Sequence, residues 1–292
     1  MKTQKIKLFC FGFGQVAENF VKTILSSGLN LELNITSRKD SHKLELNGLS
    51  YNSYFLDNYK FDKDLLKKLE SADYILISIT PVNSEDIVIK NFSAYINKCK
   101  WVTYLSATSV YGNHNGEWVN ETSKTNPSSS NGIARLNAEN SWKNFAKKND
   151  LPFQIFRLAG IYSNKFNILK KLQTNNLQIV DKKNHFFSRI HVEDVAKILF
   201  KSLDSFSRNE IYNICDDMPA SQKDVAAYGA KLLRLKQQPN LVKIEEIKSE
   251  MLQNFYKDSK KVDNKKMKAF FKYNLKFPSY VEGLDYIFNN NL

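Results

Sequence analysis

Short apolar runs alternate along this chain with segments whose apolar residues recur every three or four positions. That is the pattern of strands and helices laid alternately around a parallel sheet. Residues 6–10 read as a first strand and 15–26 as the helix after it, closing near Gly28. Residues 31–36 and 51–55 read as further strands, followed by a helix over 63–70. The run 74–79, YILISI, is apolar at nearly every position, as a strand buried on both faces should be. Helical spacing over 84–98, a strand over 101–105, a helix over 131–148 and a strand over 153–158 continue the alternation. The polar stretch 108–130, rich in Asn, Ser and Gly, interrupts it; loops of that length are usually functional or disordered.

Past Ala159 the pattern is irregular, with helices expected over 167–173, 192–203, 221–233 and 280–288. Short strands are expected over 178–180, 187–191 and 211–214, and no internal repeat or clear linker stands out. The reading is an α/β protein: a doubly wound parallel sheet over 1–160 and 186–211, with a smaller C-terminal α+β substrate lobe from 161–185 and 212–292.

Gly12-Phe13-Gly14-Gln15-Val16-Ala17 reads GxGxxA between the first strand and the first helix. In such a turn the first glycine permits a tight bend and the second lets backbone approach a pyrophosphate. The small third residue lets helix pack on strand, and the helix N-terminus faces the phosphates. Strand, turn and helix in this order make the sheet Rossmann-type and make Gly12, Phe13, Gly14, Gln15, Val16 and Ala17 candidate dinucleotide-binding residues. Where an NAD site usually places a carboxylate after the second strand, this chain reads Thr36-Ser37-Arg38-Lys39. A hydroxyl and two cations suit a 2′-phosphate, so Ser37 and Arg38 favour NADP, with NAD possible. Arg38 stacking on adenine or facing solvent would leave the choice open. The segment 78–86 leaves a buried strand at its C-terminal end, where ligands of such sheets bind. Thr80 and Pro81 are therefore candidate cofactor walls, and Ser84 a candidate cap for the next helix.

Composition narrows the partners. The formal net charge is +13, from 43 Lys and Arg against 30 Asp and Glu. The lysines are scattered, and the densest run, 257–272, is broken by acidic residues and Asn. This reads as a solvated basic surface, with attraction of phosphorylated small molecules as the alternative reading. With no helix-turn-helix, RNP or zinc pattern, a nucleic-acid partner is not expected. Cys10, Cys99 and Cys215 are far apart and lack CxxC spacing, so neither a disulfide framework nor a metal site is expected and a reducing cytoplasm fits. The apolar stretch near Met1 is too short for a signal peptide and no segment suits a membrane span, so the expected location is cytoplasmic.

Several further stretches share a pattern: LSATSVYG at 105–112, PSSSNGIARLNAE at 127–139, RLAGIY at 157–162 and FSRIHVEDVA at 187–196. YNICDDMP at 212–219, KKVDN and FPSYVEG follow. In order and spacing the chain resembles the extended short-chain dehydrogenase/reductases, the NAD-dependent epimerase/dehydratase group, and most closely their atypical branch. The resemblance implies a tyrosine that donates or accepts a proton, and a lysine four residues on that lowers its pKa and holds the ribose. It also implies a Ser or Thr after the fifth strand that orients the substrate hydroxyl. Anchored on Leu136 and Glu139, those positions are Asn131 for the tyrosine and Arg135 for the lysine; anchored on Tyr111-Gly112, the Ser/Thr position is Ala107. An asparagine cannot ionise and an arginine does not deprotonate.

The candidate catalytic residues are accordingly Arg135, Asn131 as a degenerate tyrosine position, Thr108 and Tyr162. Tyr111, Ser129, Ser130 and His191 are other conceivable substitutes, Tyr111 and His191 reading first as structural. Ser106, Arg135 and Gly160 join the cofactor candidates, and Arg189, Lys260 and Lys261 are candidates for a substrate phosphate or carboxylate. The resemblance implies an oxidoreductase or epimerase/dehydratase acting on a nucleotide-linked, phosphorylated or other polar small molecule. The alternative is a catalytically silent NADP(H)-binding sensor. By analogy alone, a homodimer would form through helices 84–98 and 131–148.

Overall fold

A computed structural model describes residues 5–82, 85–96, 98–174, 179–180, 182–236, 241–248, 253 and 256–291. The chain divides into two compact units: Met1–Ser106, Ile133–Arg157 and Val195–Ile211 form the first, and Ala107–Gly132, Leu158–Asp194 and Tyr212–Leu292 the second.

The first unit is built on β1 (Ile6–Phe11), α1 (Gln15–Ser26), β2 (Leu31–Ser37), β3 (His42–Leu46), β4 (Leu49–Asp57), β5 (Lys60–Phe61), α2 (Leu65–Glu70), β6 (Tyr74–Ile77), α3 (Ile87–Phe92) and β7 (Trp101–Ala107). After β8 (Trp118–Val119) come α4 (Ser130–Lys148) and β9 (Phe153–Leu158). Later elements are β10 (Gly160–Tyr162), α5 (Ile168–Gln173), β11 (Ile179–Val180), β12 (Arg189–His191), α6 (Val192–Lys201) and β13 (Glu210–Ile214). The sheet runs β13-β9-β7-β6-β1-β2-β4-β3, with β5 beside β4. β1 pairs in parallel with β2 on one side and β6 on the other, so the chain order reverses at β1. That switch point is where an open α/β sheet leaves a crevice at its strand ends.

Local chemistry accounts for the elements that frame this crevice. On α1, Val16, Ala17, Phe20, Val21 and Ile24 recur at helical spacing and are all buried, while Glu18 and Lys22 pair one turn apart on the open face. On α4, Ala134, Ala138, Trp142 and Ala146 face inward at four-residue spacing; Asn137, Asn140, Ser141 and Asn144 face outward. Trp142 stacks on Phe153 with ring centroids 5.5 Å apart.

The structure differs from the sequence expectation in places. A two-residue turn, Asn47-Gly48, closes an antiparallel hairpin of β3 on β4, where only the second strand was expected. The helix expected over 84–98 is α3 followed by a tight turn at Ser93–Tyr95. Its cap is Asp86, whose Oδ1 accepts the Val88 and Ile89 amides at 2.9 and 3.1 Å; the expected cap, Ser84, lies outside the described residues. The central strand ends at Ile77, so Ser78–Pro81 is loop. The expected strand over 178–180 is seen at Ile179–Val180, Gln178 lying outside the described residues.

The second unit has its own core: α5, α7 (Gln222–Leu232) and α9 (Tyr280–Asn291) bring together Leu169, Leu172, Val225, Ala226, Leu284 and Ile287. β10 pairs with β12, β11 with β14 (Leu241–Val242), and β8 with β15 (Lys261–Val262), which precedes α8 (Lys265–Phe271).

Candidate dinucleotide site

The glycine turn closes β1 at the switch point and is held from both flanks. The Gly12 amide donates to Thr36 Oγ1 of β2 at 2.9 Å, and the Ser78 hydroxyl lies 3.0 and 3.1 Å from the Phe11 and Gly12 carbonyls. Gly12 has φ +83°, and a Cβ there would stand 2.7 Å from Ile79 Cγ2. The bend thus requires glycine twice over, by conformation and by space. At Gly14 the situation is reversed. Its φ of −84° suits any residue, and a Cβ built on it meets no atom within 4 Å. No side chain caps α1, and Ala17, fully buried, seats the helix against the sheet. An uncapped helix N-terminus behind open space at a glycine is what a diphosphate needs, so the residues present fit a dinucleotide. Phe13 packs its ring 5.6 Å from that of Tyr51, and Gln15 and Val16 open the helix.

At the end of β2, Thr36 is buried and its hydroxyl is committed to the turn. Ser37 bonds Ser53 Oγ at 3.0 Å and the Lys39 backbone. Arg38 is exposed, with no partner among the described residues. In the same unit, Arg135 Nη1 donates to the Leu105 carbonyl at 2.7 Å, and Nη2 stands 3.5 Å from Thr80 Oγ1. Arg135 is thereby a fixed cation joining the ends of β6 and β7, beside exposed Thr80 and half-buried Pro81. Ser106 is turned away from such a role: it is buried and donates to Glu139 Oε1 at 2.6 Å. Glu139 in turn takes a two-pronged bond from Arg157, Nε at 3.1 Å and Nη2 at 2.7 Å, with the two side chains 0% and 3% exposed. This pair bolts α4 to β9 and sets where Arg135 stands. Sequence reasoning used Glu139 only as an anchor. A lone arginine in the apolar strand FQIFRL was the signal that a buried carboxylate must face it.

The other candidates belong to the second unit. Asn131 is exposed in the first turn of α4, and Ser129 is occupied as the acceptor of the Gly132 amide at 3.1 Å; Ser130 is exposed and Thr108 and Gly160 lie at the surface or half-buried. Tyr111 is fully buried and donates to Asn213 Oδ1 at 2.7 Å. Tyr162 is a core residue: its hydroxyl bonds the Ser279 carbonyl at 3.3 Å and lies where a Cβ on Gly283 would be, only 2.0 Å away. Burial pushes that phenol far above its ordinary pKa, the wrong direction for a proton acceptor.

His191 is fully buried among Tyr162, Phe277 and Tyr286, and its Nδ1 accepts the Glu193 amide at 3.3 Å. Burial lowers its pKa from 6.5 to about 4, against the opposing charge of Glu193. A histidine whose folded pKa is depressed stabilises the fold above its unfolded pKa and loses that stability as pH falls toward the folded value. Between pH 7 and roughly pH 4.5 this ring is expected to cost about 2–3 kcal/mol. Urea unfolding of His191→Phe at the two pH values should show a shallower acid loss than the wild type; equal slopes would remove His191 as the cause.

Among the described residues no three His, Cys, Asp or Glu side chains converge as a metal set, and no helix is long and apolar enough to cross a membrane. The sheet order, the turn at its switch point and the bare helix N-terminus define a protein of the Rossmann class. A model of the NAD dependent epimerase/dehydratase family matches residues 88–215. A conserved protein of unknown function from Silicibacter pomeroyi is 31% identical over 96% of this chain and 97% of that one, with TM-score 0.83. UDP-glucuronic acid 4-epimerase from Bacillus cereus, solved with NAD, is 17% identical over 97% and 98% of the two chains, TM-score 0.76. UDP-N-acetylglucosamine 4-epimerase from the same organism is 16% identical over 98% of each, TM-score 0.74; at such identities the likeness is one of fold. No curated protein matches the chain. This chain belongs to the NAD-dependent epimerase/dehydratase family.

Proposed function

We propose that the first unit binds NADP(H) and that the protein is an oxidoreductase or epimerase/dehydratase for a polar, nucleotide-linked or phosphorylated metabolite. The observation that carries this reading is the preformed turn, with open space at Gly14 in front of the uncapped α1. Gly12 to Ala17 would hold the diphosphate, Arg38 with Ser37 the 2′-phosphate, and Arg135 with Thr80 and Pro81 the nicotinamide-side ribose. When bound, the coenzyme supplies hydride transfer. The chain's own residues supply orientation: Arg135 presents a permanent positive charge and Asn131 a neutral hydrogen-bonding amide where the family has lysine and tyrosine. Solved neighbours hold NAD, and one was solved with UDP-glucuronic acid as well, which supports the substrate class by analogy.

One observation favours the silent-sensor reading. Of the tyrosines and the histidine that stand near the family's motifs, Tyr111, Tyr162 and His191 are all buried and hydrogen-bonded within the second unit.

The test is calorimetric titration with NADPH and NADH, followed by coenzyme turnover against a panel of carbonyl compounds and nucleotide sugars. NADPH binding with turnover supports the enzyme; binding without turnover of any compound supports the sensor. Arg38→Ala should weaken NADPH by at least about tenfold and leave NADH unchanged. Equal effects on both coenzymes would remove the NADP preference.

A further inference from the structure

The cations that the sequence offers to an anionic substrate group are already engaged within the second unit. Arg189 Nη1 donates to the Phe187 and Ala220 carbonyls, Lys260 pairs with Asp258, and Lys261 lies over the Phe186 ring. Chemistry left open is found instead in the backbone. Asn-Gly occurs three times, at Asn47-Gly48, Asn115-Gly116 and Asn131-Gly132. In such a pair the glycine nitrogen can attack the asparagine side-chain carbonyl, because no side chain shields it and glycine rotates freely. The nitrogen must be reached by water to lose its proton, must be free of a hydrogen bond, and must be able to swing toward Cγ.

Two of the pairs are held against this. Gly116 is buried and its amide donates to the Ser259 carbonyl at 3.0 Å, while Asn115 Oδ1 accepts the Asn113 side-chain amide at 2.8 Å. Gly132 is buried as well, its amide donates to Ser129 Oγ at 3.1 Å, and α4 fixes the Asn131 backbone. Packing confines both glycines: a Cβ would stand 3.1 Å from the Asn184 carbonyl oxygen at Gly116, and 2.8 Å from that of Ser109 at Gly132. Asn47-Gly48 differs on every count. Both residues are exposed, and neither the Asn47 side chain nor the Gly48 amide has a hydrogen bond among the described residues. A Cβ on Gly48 meets no atom within 4 Å. The pair forms the tip of the β3–β4 hairpin, with φ 49° and 79°, and the first facing residues below it are Leu46 and Leu49. Swinging the Gly48 nitrogen onto Cγ requires leaving this turn. The tip can open by releasing that one pair, with the rest of the ladder closed.

We propose that Asn47 is a site of spontaneous deamidation, the pair among the three that the fold leaves reactive. The Gly48 nitrogen gives its proton to water or hydroxide and bonds to Asn47 Cγ. The Cγ–Nδ2 bond breaks and ammonia leaves, closing a cyclic imide. Water then opens the ring at one carbonyl or the other, leaving aspartate or isoaspartate at position 47, and nothing is oxidised or reduced. Isoaspartate routes the main chain through the former side chain. It thereby adds one backbone atom to a two-residue turn whose length sets the register of β3 on β4. The modification needs no coenzyme and stands apart from the functional reading above.

The full chain is aged in mildly alkaline buffer, folded and in concentrated urea, and each pair is followed by peptide mass spectrometry as amide becomes acid. Enzymatic methylation of isoaspartyl residues identifies the rearranged product. In the folded chain Asn47 should convert at least about tenfold faster than Asn115 or Asn131, which must first open. In urea the three rates should converge to within about threefold, since only the fold separates them. Asn47→Gly suits the positive φ and should fold as the wild type does. Conversion should then vanish from the peptide that also carries Asn52 and Asn58. A folded-state rate at Asn47 no higher than at the two tied pairs, or conversion persisting in Asn47→Gly, overturns the proposal.

Discussion

Gly14→Ala is expected to unfold at close to the wild-type midpoint and yet lose NADPH by at least about thirtyfold, roughly 2 kcal/mol. The new methyl meets nothing in the protein, and φ −84° suits alanine. The poorer N-cap and the stiffer unfolded chain nearly offset each other, leaving a net change within about 1 kcal/mol. What the methyl does occupy is the space assigned to the diphosphate. Gly12→Ala should behave in the opposite order. Its φ of +83° and the 2.7 Å approach to Ile79 put strain into the fold itself, so a stability loss of about 1–3 kcal/mol should accompany the loss of binding. Calorimetric titration beside thermal unfolding separates the two. Undiminished affinity in Gly14→Ala would mean that the turn does not face a phosphate.

The second large effect is expected at the buried ion pair. Arg157→Met should destabilise the protein by about 3–5 kcal/mol, because Glu139 would be left charged and enclosed. Adding Glu139→Leu should recover much of that loss, since an apolar pair of similar volume carries no desolvation penalty. Urea unfolding of the single and double variants reads this directly. If the double variant is as unstable as the sum of its singles, the pair is not coupled as its geometry indicates.

The first βα unit was legible because every signal there agrees: a buried strand, GxGxxA, then apolar positions at helical spacing, giving α1 at the expected residues. Other parts were less so. His42–Leu46 reads as polar chain because its side chains face water, although Asn47-Gly48, with φ 49° and 79°, is the two-residue signature of a hairpin. The cap of α3 is Asp86 where Ser84 was the expectation, because both residue types suit an N-cap and the residue pattern alone does not choose between them. For the site, residue types gave the turn and the substitutions at Asn131 and Arg135. That Ser106 and Tyr162 are structural depends on Glu139 and Gly283, 33 and 121 positions away in chain order. No local pattern carries such pairings.

The hairpin also governs how the sheet ends. β3 is its outermost strand on that side, and its side chains, His42, Lys43, Leu44 and Glu45, stand in water. A foreign strand docking there would have to strip hydration from a cation and an anion to reach the open amides. The margin is thereby guarded against edge-to-edge aggregation by the very residues that concealed it as a strand.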